Sequence, residues 1–110
     1  MREALTRMLK AAGFEARGYD SAEAFLEENA TSPVECLVLD VHLPGASGLE
    51  LQRSLVESGR ARPVVFITAH DTPAARREAD ALHAVAFLTK PFEGRLLLGA
   101  VQRAITPRPN

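Results

Sequence analysis

At 110 residues the chain is long enough to close one hydrophobic core. Hydrophobic residues make up 46% and charged residues 25%, near the average for globular domains, and a net charge of −1 implies no broad attraction to nucleic acid or anionic membrane. No apolar run approaches the length of a membrane span, no signal-peptide pattern opens the chain, and the lone Cys36 excludes an internal disulfide or a multi-cysteine metal site. Together these features suit a cytoplasmic module, with Cys36 as core filler inside a strand.

The spacing of Leu5, Met8, Leu9 and Ala12 predicts a helix over 2–13, stopped at Gly13. "FEARGY" (14–19) alternates and is aromatic at both ends, which predicts a strand. Asp20 or Ser21 offers an N-cap for a second helix with Ala22, Phe25 and Leu26 on its apolar stripe, and Pro33 ends that region. "VECLVLD" (34–40) is a β-branched run whose continuous apolar part predicts a strand covered on both faces.

The alternation then repeats. Ser47 can cap a helix that stops at Gly59, "PVVFIT" (63–68) reads as a buried strand, and Pro73 stands near the start of a further helix. "AVAFLT" (84–89) predicts another buried strand and "FEGRLLLGAVQRAI" the last helix, while "TPRPN" (106–110) has the composition of a linker or tail. Helices alternating with apolar strands predict an α/β domain over 1–105, with a parallel sheet between two helical layers.

In open α/β sheets ligands bind beyond the carboxyl ends of the strands. Three of the buried runs end there in Asp40, Thr68 and Lys90, so a carboxylate, a hydroxyl and an ammonium converge on one crevice. Each taken singly is explained as the first polar residue after a strand. As a set, flanked by Pro44-Gly45 and by Pro91, they suit phosphoryl chemistry. A carboxylate can attack phosphorus to give an aspartyl phosphate. An ammonium and a hydroxyl can then neutralise and bind the phosphoryl oxygens, with Mg²⁺ normally completing the set.

On these residues the chain resembles the receiver domain of two-component response regulators, over almost its whole length. "LVLDVHLPGASGLEL" is similar to the phospho-acceptor strand and the turn after it, "VVFITAH" to the strand carrying the switch threonine, and "AVAFLTKPF" to the strand ending in the Lys-Pro pair. The wording is closest to receivers of the NarL/FixJ-like group, which carry LuxR-type helix-turn-helix output domains. The resemblance implies a flavodoxin-like three-layer fold and a signalling switch rather than an enzyme. It makes Asp40 the phospho-acceptor from a histidine kinase, Lys90 its counter-charge and Thr68 the switch hydroxyl. Phe87 would be the switch aromatic, the His42 backbone carbonyl an Mg²⁺ ligand with Asp40, and the Lys90–Pro91 peptide cis. The face of the fourth helix, fifth strand and fifth helix would report the switch, and DNA binding would belong to an output domain beyond 106–110.

Against the family pattern, the chain lacks the first strand and the acidic pair at its end, roughly 8–12 residues. Four strands and five helices are then expected, weak Mg²⁺ binding, and little or no phosphorylation of the chain as given. The absent strand is central in the family and leaves a gap of roughly 10 Å, so a rearranged or strand-exchanged homodimer is expected over a monomer with a hole. The alternative function is a phosphorylation-independent receiver acting through its surface. A dehalogenase-like phosphatase is disfavoured because His42, not a carboxylate, follows the nucleophile by two residues.

His83 stands where the family usually has Gly and reads as a slightly strained cap. His42 and His70 read as exposed loop residues, at no metal-ligand spacing. Arg60, Arg62, Arg76 and Arg77 are scattered without aromatic platforms, which argues against a nucleic-acid surface.

Overall fold

A computed structural model of the chain describes residues 2–19, 24–26, 35–43 and 46–105. Helix α1 (Arg2–Ala11) is followed by strand β1 (Leu37–Asp40), a two-residue ladder of β2 (His42–Leu43) and β3 (Ala46–Ser47), and helix α2 (Gly48–Glu57). Then come β4 (Val64–Thr68), helix α3 (Pro73–Ala81), β5 (Ala86–Thr89) and helix α4 (Gly94–Ile105). Strands β1, β4 and β5 form a parallel sheet in that order, with Asp40 opposite Ile67 and Thr68 opposite Thr89. β2 and β3 pair antiparallel beside it.

Side-chain alternation along the strands divides the core between two faces. On one face Leu37, Leu39, Val64 and Phe66 pack with Leu51 and Leu55 of α2 and with Ala79 and Leu82 at α3. On the other, Val38, Val65, Ala86 and Leu88 pack with Leu97, Ala100 and Val101 of α4 and with Leu5, Met8 and Leu9 of α1. The three-layer α/β architecture is therefore as expected. Leu55, Val64, Val65, Phe66 and Leu97 have no exposed surface, and each such side chain contributes roughly 1.5–3 kcal/mol by leaving water.

Local signals place the helix ends well. Ser47 Oγ accepts from Glu50 N at 3.0 Å, Thr72 Oγ1 accepts from Ala75 N at 3.1 Å, and Pro73 occupies the first turn of α3. Gly13 (φ 99°) and Gly59 (φ 72°) take the left-handed conformation just past their helices. His83 does the same at φ 61°, where an L side chain is strained, as its position predicts.

Three expectations need correction. Residues 14–19 form no strand: Phe14 and Tyr19 pack into the core, but the backbone joins no ladder. Alternation in the sequence without a neighbouring strand about 4.8 Å away is not enough for a strand. Among the described residues the sheet accordingly has three strands, where four were expected. Strand β5 is half-buried rather than buried, because it is an edge strand. Most of the expected second helix, the Pro44-Gly45 turn and 106–110 lie outside the described residues; Phe25, in a helical turn at 24–26, is buried.

Candidate functional site at the strand tips

The site is built where β1, β4 and β5 end. Val41 N donates to Ile67 O at 2.9 Å, and Gly48 N donates to Val41 O at 3.0 Å, so the chain after Asp40 folds back against the start of α2. A Cβ on Gly48 would stand 2.4 Å from the Asp40 carbonyl oxygen, so only glycine allows this approach. Lys90 N donates to Thr68 O at 2.8 Å, which ties the end of β5 to the end of β4, and the Lys90–Pro91 peptide is cis.

From that anchor the Lys90 side chain reaches across the tip of β4. Its Nζ lies 2.7 Å from Asp40 Oδ2, and the two side chains are 21% and 27% exposed. Asp40 Oδ1 accepts from His42 N at 2.9 Å. Both carboxylate oxygens are thus held by donors, a geometry that stabilises negative charge at the mouth of the crevice. Thr68 is fully buried, and its Oγ1 donates to His70 O at 3.1 Å while accepting from His70 N at 3.0 Å.

The structure therefore brings Asp40 and Lys90 into contact and sets Thr68 on the strand between them, its hydroxyl engaged by the next loop. Phe87 lies elsewhere, two residues before the end of β5 and half-buried against the α2–α3 face. His42, which the structure places in β2 rather than a loop, and His70 are exposed as expected, but their rings meet edge to face with centroids 5.9 Å apart. That contact needs the β1–β4 register, which the separation of 28 residues hides.

A second polar cluster escaped the sequence reading. Arg76 Nε and Nη2 each donate to Asp71, to Oδ1 and Oδ2, at 2.7 Å, and Thr89 Oγ1 donates to Asp71 Oδ2 at 3.3 Å. The Arg76 guanidinium holds the Asp71 carboxyl below its ordinary value of 3.8, with a smaller contribution from Thr89. The same guanidinium lies 4.9 Å from the centre of the Phe87 ring. Nothing in the local sequence links these residues, because the cluster depends on Thr68 pairing with Thr89.

For a metal, the described residues bring the Asp40 carboxylate to the crevice, and the resemblance implies the His42 carbonyl as a second donor. Mg²⁺ takes about six oxygens and binds through one or two carboxylates plus phosphate and water. No three His, Cys, Asp or Glu side chains among the described residues gather closely enough to share an ion. The Lys90 ammonium, moreover, already occupies Asp40 Oδ2. By themselves the described residues fit Mg²⁺ poorly. No helix among them is long and apolar enough to cross a membrane.

Comparison with known proteins agrees with this geometry. The family described as "Response regulator receiver domain" matches residues 1–102. The chain is 40% identical over 108 residues to the response regulator protein TmoT of Ectopseudomonas mendocina, covering 97% of this chain and 49% of that protein. It is 36% identical over 105 residues to the transcriptional regulatory protein FixJ of Bradyrhizobium diazoefficiens, covering 96% and 51%. Among solved structures, the response regulator StyR superposes with a TM-score of 0.86 at 44% identity, covering 96% of this chain and 53% of that one. The FixJ-N structure gives 0.85 at 37%, covering 94% and 82%. The chain spans about half the length of the curated relatives it matches. With the Asp40–Lys90 pair at the strand tips of a three-layer α/β fold, these matches make the chain a member of the response regulator receiver domain family.

Proposed function

We propose that this domain is the phospho-accepting switch of a two-component phosphorelay, with Asp40 as the acceptor. The observation that carries the reading is Lys90 Nζ at 2.7 Å from Asp40 Oδ2, with Thr68 at the end of the strand between them. An Asp40 oxygen attacks the phosphorus of a phosphohistidine on a histidine kinase. The P–N bond breaks, the imidazole regains its electron pair and a proton, and an acyl phosphate forms on Asp40. Lys90 then faces the new phosphoryl oxygens as a fixed counter-charge. Thr68 exchanges its His70 partners for one of those oxygens, and Phe87 repacks behind it, shifting the population of two conformations.

The partners in this reading are the kinase and an attached output domain of the helix-turn-helix type, in a cytoplasmic transcription regulator. The names of the relatives, "response regulator" and "transcriptional regulatory protein", support it. They also support placing the chain in the NarL/FixJ-like group.

We further infer that the donors described here bind Mg²⁺ weakly, so that the chain by itself accepts a phosphoryl group slowly or not at all. Intact mass after incubation with Mg²⁺ and acetyl phosphate tests both statements, with Asp40→Ala in parallel. An acid-labile adduct lost in Asp40→Ala supports Asp40 as acceptor and overturns the inference about Mg²⁺. With no adduct, the same assay is run on the chain extended at its N-terminus by a strand ending in two acidic residues. An adduct there supports both statements, and none there overturns Asp40 as acceptor.

The second reading, a receiver acting through its surface without phosphorylation, is favoured by one observation: both Asp40 oxygens already have donors. A rearranged or strand-exchanged homodimer belongs with either reading, since β1 pairs only with β4 among the described residues and leaves an open edge. Light scattering that gives a monomer across the micromolar range would remove it.

A further inference from the structure

We infer that Arg76, held by Asp71, which Thr89 in turn anchors, is a positioning residue that clamps the Phe87 ring and so sets the resting population of the switch. The inference rests on the reading of Phe87 as the switch aromatic, and it deepens that reading. It stands on three linked contacts, the first of which touches the Phe87 ring. The guanidinium stacks over Phe87 at 4.9 Å, within the range of a cation–π contact. Its Nε and Nη2 are pinned to Asp71 by two bonds of 2.7 Å, which fixes the plane of the fork. Asp71 is in turn tied to Thr89, two residues along the same strand as Phe87.

The arrangement closes a ring of contacts from the loop after β4, through the first turns of α3, to the end of β5. Thr68 begins that loop, with its hydroxyl held by His70, and Asp71 is the next residue. A movement of Thr68 toward Asp40 therefore pulls on the residue adjacent to the anchor of the clamp. Arg76 and Asp71 are both substantially exposed, with side-chain exposures of 50% and 33%, so the clamp can open without unpacking the core.

The experiment measures the Phe87 side-chain rotamer ratio by NMR, from scalar couplings and ring contacts, in the unphosphorylated chain. Arg76→Ala and Asp71→Asn are each expected to change that ratio in the same direction by roughly two- to five-fold, the range of an exposed cation–π contact. Arg76→Lys keeps the charge but not the planar fork and is expected to fall between. An unchanged ratio in Arg76→Ala would overturn the clamp, as would an equal change in Arg77→Ala, a neighbouring exposed arginine on the same helix. No phosphoryl group is needed for the readout, so a failure of Asp40 to accept one leaves the result standing by itself.

Discussion

Lys90 Nζ and Asp40 Oδ2 lie 2.7 Å apart although fifty residues separate them in sequence. Two strand spacings, about 10 Å, lie between β1 and β5, and the lysine stem and the Asp40 side chain together bridge them, with Lys90 N fastened to Thr68 O. The pair is only partly buried, so water offsets much of its attraction. A double-mutant cycle of Asp40→Ala and Lys90→Ala, read by urea denaturation, should give a coupling of about 1 kcal/mol. A coupling near zero would mean that the contact does not persist in solution.

Gly48 is the residue that lets α2 start against the backbone of Asp40. Adding a methyl group there puts Cβ 2.4 Å from a carbonyl oxygen, which has no flexible side chain to move aside. Gly48→Ala should destabilise the domain by about 1–3 kcal/mol, and the amide resonances of Val41 and His42 should shift with it. An unperturbed variant would contradict the close approach.

Asp71 should titrate below an ordinary carboxyl group, chiefly because Arg76 donates to both of its oxygens. Its folded pKa is depressed, so the stabilisation it brings is complete above the ordinary value of 3.8 and is lost as pH falls through the lower folded value. An NMR titration of the Asp71 carboxyl carbon checks this. Arg76→Ala should move the midpoint back up, and a midpoint already at the ordinary value in the unaltered chain would contradict the pairing.

Burial pushes the Cys36 thiol up to about 11, from an ordinary 9.0. At pH 8 that difference leaves on the order of 100-fold less thiolate than in an ordinary exposed cysteine. Alkylation by iodoacetamide should be slow in the folded chain and become fast in urea. Equal rates in the two conditions would show that the thiol is accessible.

Much of the fold was legible before any coordinates. Helix ends followed from Ser47, Pro73 and the glycines at 13 and 59, because capping and φ preferences act over a few residues. Strand tips followed from apolar runs ending in Asp40, Thr68 and Lys90. Residues 14–19 depart from the strand their sequence predicts for the opposite reason: alternation is local, but a ladder needs a neighbouring backbone, and none is supplied to them among the described residues.

The sequence by itself determined which groups the site contains, since residue type and position at a strand end are local properties. The tertiary structure decided how they meet. The stretch from Lys90 to Asp40, the hold of His70 on Thr68, and the stacking of Arg76 on Phe87 all follow from register between strands that are distant along the chain. A shift of one residue in that register would turn each side chain to the other face of the sheet.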